Sequence, residues 1–129
     1  MANQKIDLSG VWQSRYEYGE SQQGEHIVDL RQHALKVNGS SHLDDTGSEL
    51  FLDLWLRPPK PELGRGGWLL DGFWKEETSP SGTYRGQLFQ GVLQLILNDE
   101  ANKAQGKWAG HDRGHSQVNT GNWFLTREK

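Results

Sequence analysis

The chain has 129 residues, with 14 basic against 17 acidic side chains, a net charge of −3 and no cysteine. Disulfides, thiolate catalysis and cysteine-ligated zinc are thereby excluded, and the mixed charge argues against a surface for duplex nucleic acid, which needs a basic field. The length is that of one domain, residues 1–129. The first ten residues lack an apolar signal core and no apolar run approaches the ~20 residues of a membrane span, so a cytoplasmic protein is expected.

Hydrophobic residues make up only 33%, but six Trp, three Tyr and four Phe can bury enough area for a core. Sixteen glycines and recurrent period-two patterns predict strands. "GVWQSRYEY" sets Trp12, Ser14, Tyr16 and Tyr18 on one face, with Val11, Gln13, Arg15 and Glu17 on the other. "EHIVDLRQ" alternates Val28 and Leu30 against Asp29 and Arg31, and the short "ALKVNGSS" follows a tight turn near His33. "SELFLDLWLRP" places Leu50, Leu52, Leu54 and Leu56 on one side and Phe51, Asp53, Trp55 and Arg57 on the other.

"RPPKPELGRGG" is a loop, because proline cannot extend a sheet ladder; a brief helical turn fits between Pro58 and Gly64. "GWLLDGFWKEET" is a fifth strand and "SPSG" a turn. "TYRGQLFQGVLQLILN" is a long sixth strand, with a bend or bulge at Gly91. "KAQGKWAGHD" and "QVNTGNWFLTR" are the seventh and eighth. Eight or so strands joined by hairpin-length connections predict an all-β fold, a single small antiparallel up-and-down barrel, with a sandwich as the alternative.

Four segments repeat Gly-x-Trp: Gly10 with Trp12, Gly72 with Trp74, Gly106 with Trp108 and Gly121 with Trp123. On a strand the two residues share a face, and the glycine leaves room for a neighbouring indole. Such pairs pack a core, and together they build an aromatic layer that plugs or floors a barrel.

If the tryptophans face inward, Ser14, Tyr16, Tyr18, Glu76, Thr78 and Asp112 go with them. That interior is too polar for a dry core. It holds water or a ligand with donors and acceptors, or else the strands twist these positions to a solvated rim. Arg85 follows the Ser-Gly turn close to Tyr84, and its fork suits a phosphate or carboxylate. The competing role is a cross-strand salt bridge to Glu76 or Glu77. The candidate ligand-binding set is Tyr16, Tyr18, Trp74, Glu76, Thr78, Tyr84, Arg85, Trp108 and Asp112. "GHDRGH" holds His111 and His115 near Asp112, but its spacing does not define a metal site, and none is predicted. His26, His33 and His42 read as scattered surface or turn residues.

"LSGVW", "WAGHD" and "VNTGNWFLT" resemble stretches of avidin and lipocalin-like barrels. No biotin-contacting residue carries over. "ETSPSGTYRG", "QGVLQLIL", "GKWAG" and "VNTGNWFLT" together are similar to an uncharacterised bacterial domain, found behind helix-turn-helix regulators and as small stand-alone proteins. In architecture the chain also resembles the minimal β-barrel sensors of bacterial anti-phage signalling. With the polar-aromatic inner face and the Arg85 hairpin, a non-enzymatic sensor or sequestering barrel without cofactor is expected, for a polar or anionic, nucleotide-like small molecule.

Two other readings stand beside it. Phe51, Trp55 and Phe73, on outward faces, suit a protein-interaction or self-assembling module, with a homo-oligomer as its product. Glu76 and Asp112 suit a small hydrolase or isomerase, although no nucleophile elbow, phosphate loop or dinucleotide fingerprint is present. A lipophile carrier would need an interior dominated by Leu50, Leu52, Leu54, Leu88 and Leu93.

Overall fold

The computed structural model describes residues 6–19, 22–42, 48–64, 66–78, 86–111 and 116–128. Its elements are β1 (Gly10–Tyr18), β2 (Gln22–His33), β3 (Lys36–Ser41), β4 (Glu49–Arg57), a 3₁₀ turn (Pro61–Leu63), β5 (Leu69–Glu77), β6 (Leu88–Leu97), β7 (Lys103–His111) and β8 (Val118–Arg127). The strands form a closed barrel in the order β1-β2-β3-β4-β5-β6-β7-β8. Every neighbouring pair is antiparallel, including β1 with β8. Closure leaves no edge strand, so every strand finds partners on both sides.

The two-residue alternation decides what fills the bore. Trp12, Ser14 and Tyr16 on β1, Val28 and Leu30 on β2, and all four leucines of β4 are buried. So are Leu70, Trp74, Leu93, Leu95, Leu97, Ala104, Trp108, Trp123 and Leu125. Leu88, expected among the carrier's inward leucines, lies on the outside and is 53% exposed, because it is an odd number of residues from the buried Leu93, Leu95 and Leu97.

Glycine permits close approach at several points. A Cβ on Gly91 would collide with the Ala109 carbonyl, and one on Gly72 with the Asp53 carbonyl. Gly91 therefore allows contact and does not make a bulge: β6 keeps unbroken register through it with β5, and its ladder with β7 begins there. The sixth strand also begins later than expected, at Leu88. Gly86, at φ +75°, turns the chain out of the extended region, and the Gln87 N–H is taken by the Thr78 hydroxyl at 2.9 Å.

An up-and-down meander sends its connections alternately to opposite ends. The β2–β3, β4–β5 and β6–β7 connections share one end with the segment before β1. That end is stoppered. Leu8 is fully buried and its carbonyl accepts the Trp12 indole N–H at 2.9 Å. The Gln32 side chain accepts from the Leu8 N–H and donates to the Ile6 carbonyl, at 2.8 and 2.7 Å. Arg127 lies 5.4 Å over the Trp12 ring and bonds the Ser9 carbonyl at 2.6 Å. At the opposite end lie the β1–β2, β3–β4, β5–β6 and β7–β8 connections.

The outer faces carry mixed charge, with Arg57 paired to Asp71, Lys36 to Asp53 and His42 to Asp29. Of the aromatics expected on outward faces, Trp55 sits 4.6 Å beneath the Lys36 ammonium and Phe51 4.9 Å beneath that of Lys75, while Phe73 is 64% exposed. Among the described residues no helix is long and apolar enough to cross a membrane.

Candidate functional site

At the end away from the stopper, the last inward positions of β1 and β5 change from apolar to polar. Tyr16 Oη donates to Glu76 Oε2 at 2.5 Å. The His26 Nε2 of β2 lies 3.5 Å from the same carboxylate oxygen. The Tyr16 and His26 rings are near-parallel, at 11°, with centroids 6.2 Å apart. Three elements thus converge on one carboxylate whose side chain is only 15% exposed. His26 is 7% exposed, and among the described residues its Nδ1 is buried with no hydrogen-bond partner. A buried polar atom without a partner is uncommon and costs stability unless something else satisfies it.

The expectation that His26 is a surface or turn residue is therefore wrong. It lies two positions from Val28 and four from Leu30, so the same alternation that buries them carries it inward. That signal was present in the sequence; a polar side chain on an apolar face obscured it.

Below this cluster lies an aromatic floor. Trp123 stacks on Tyr16 at 4.8 Å, Trp74 meets Trp108 edge-on at 5.6 Å, and Trp74 lies 5.8 Å from Trp123. Each indole faces a glycine across its ladder: Trp74 opposite Gly91, Trp108 opposite Gly121, Trp123 opposite Gly106. Three of the four Gly-x-Trp segments build the layer that was expected; Trp12 instead belongs to the stoppered end.

The floor's polar atoms are committed. The indole N–H groups of Trp74, Trp108 and Trp123 donate to the Val92 carbonyl, the Glu17 carbonyl and the Ser14 hydroxyl at 3.1, 2.9 and 2.9 Å. Trp74 and Trp108 keep 8% and 9% exposure, against 1% for Trp123. The Thr78 hydroxyl closes the β5–β6 hairpin, accepting from the Gln87 N–H and donating to its carbonyl at 3.3 Å. Tyr18 is half-buried, its ring 5.8 Å from that of Tyr16.

Of the sequence-derived set, the fold gathers Tyr16, Tyr18, Trp74, Glu76, Thr78 and Trp108 at one end of the bore. Tyr84, Arg85 and Asp112 lie outside the described residues, as do the arginine's expected salt bridge and the proposed Glu76–Asp112 pair. His26 and Trp123 join the site.

No family model, no curated protein and no solved structure matches this chain. The eight-stranded antiparallel barrel is what the motif resemblances and the structure have in common.

Proposed function

We propose that this protein is a non-enzymatic binding barrel, a sensor or sequestering protein in the manner of avidin- and lipocalin-like barrels. Its small, polar, ring-bearing ligand enters from the end opposite Leu8 and rests on the floor of Tyr16, Trp74 and Trp108. The carrying observation is the buried Tyr16–Glu76–His26 cluster with its unpartnered Nδ1. Placing a carboxylate and an imidazole in a bore that leucines could fill costs stability, and well-packed apolar residues are commonly as good or better. A ligand recovers that cost by pairing with the groups left open. The exposed parts of the aromatic floor suit the face of a planar ring, and a nucleotide-like molecule combines such a ring with polar edges.

The test is a thermal-shift and tryptophan-fluorescence screen of nucleosides, nucleotides and acidic metabolites. A nucleotide-class ligand should raise the melting temperature by more than about 2 °C at saturation. If no nucleoside or nucleotide shifts it, the nucleotide version is wrong.

A further inference from the structure

We propose that the floor of this site receives a positively polarised nitrogen group, such as an ammonium, an amidinium or the amino edge of a heterocyclic base, and that it turns anionic groups away. The inference rests on the small-ligand reading and specifies which end of the ligand goes in first.

Its basis is the balance of donors and acceptors around the Glu76 carboxylate. The nearby donors are directed at protein oxygens: three indole N–H groups, the Tyr16 hydroxyl on Glu76, and the Thr78 hydroxyl on Gln87; in the His26 tautomer whose Nε2–H faces Glu76 Oε2, the open Nδ1 is a further acceptor. What remains is acceptor and π surface. Glu76 Oε2 holds Tyr16 and faces His26, while among the described residues nothing donates to Oε1. A carboxylate offers about four lone-pair sites and has no donor of its own when ionised. Beside it, Tyr16, Trp74 and Trp108 retain 9%, 8% and 9% exposure.

The face of an aromatic ring is its negative side, which attracts cations and repels anions. A carboxylate among such faces, largely shielded from water, favours a cation more than it would on an open surface. In a nucleotide-like ligand this geometry puts the amino edge of the base inward and leaves the phosphate toward the rim.

A charge series on one ring tests this: benzylamine, benzyl alcohol and benzoate, titrated against the full chain at millimolar concentration with intrinsic fluorescence and calorimetry as readouts. Benzylamine should bind at least about tenfold more tightly than benzoate, with benzyl alcohol between them. Glu76→Gln should reduce the benzylamine preference by a similar factor; its amide oxygen still accepts from Tyr16, and near-ultraviolet circular dichroism checks that the floor is intact. Benzoate binding as well as benzylamine overturns the proposal, and so does a preference that Glu76→Gln leaves unchanged. If none of the three binds while nucleosides do, the proposal is overturned and the small-ligand reading survives. If nucleosides fail as well, both fall.

Discussion

Tyr16 and Glu76 stand on opposite walls of the barrel, with three strands between β1 and β5 in either direction, and one 2.5 Å hydrogen bond joins them across the bore. Sixty residues of sequence separate them. A bond across the interior to a carboxylate ties two walls that share no ladder. Tyr16→Phe should therefore lower stability by about 1–3 kcal/mol, the cost of leaving a largely buried acceptor without its donor. In urea denaturation, a double-mutant cycle with Glu76→Ala, which removes the acceptor, should show coupling of about 0.5–3 kcal/mol. Strictly additive single effects would mean that the bond contributes nothing in solution.

Gly24 is the partner of Tyr16 in the β1–β2 ladder, and a Cβ there would overlap the phenol ring. Gly24→Ala should push Tyr16 away from Glu76 and cost about 1–3 kcal/mol, as overpacking does. The diagnostic is the second substitution. In the Gly24→Ala background, Tyr16→Phe should cost much less than it does alone, and an undiminished cost would show that the ring had not moved.

The β2–β3 hairpin turns through Ala34 and Leu35, and Ala34 adopts φ +54°, a left-handed conformation that a side chain disfavours. Ala34→Gly is expected to raise stability by about 1 kcal/mol, visible as a higher urea midpoint at unchanged slope. Leu35→Gly is the control. Leu35 is not in the positive-φ region, so that change should lower stability by about 0.5–1 kcal/mol.

Leu8 is the stopper of the closed end. With no exposure and its carbonyl on the Trp12 indole, it behaves as a core residue although it precedes the first strand. Leu8→Ala should cost about 2–4 kcal/mol through lost transfer energy and a cavity, and the buried Trp12 emission should shift to the red. A loss below about 0.5 kcal/mol would show that this segment is detached in solution.

Asp7 supplies a pH test of the same segment. The Ser9 N–H, then the Ser9 hydroxyl, and to a lesser extent Arg127 hold its exposed carboxyl below the ordinary value of 3.8. A depressed folded-state value means that the stabilisation is fully present above the unfolded value and disappears as pH falls through the folded one. The stability gap between the parent chain and Asp7→Ala should thus be constant near neutrality and close on acidification below about pH 4. A gap that is unchanged in acid would assign the effect to something other than this carboxylate.

The sequence by itself determined the walls. Alternation is local, so reading every second residue is enough to place Trp12, Tyr16, Leu50, Leu52, Leu54, Leu56, Trp74 and Trp108 in the bore and to mark eight strands. Gly91 misled because a glycine inside a strand signals either a bulge or a close approach, and only the register with β5 tells them apart. His26 misled because its polarity outweighed its spacing from Val28. Tertiary structure alone decided the site. Which walls oppose each other depends on where the sheet closes, and closure is set by the β1–β8 pairing between the two ends of the chain. Only that pairing brings Glu76 across to Tyr16 and His26, commits the indole N–H groups to protein oxygens, and leaves a carboxylate among aromatic faces at one end of the barrel.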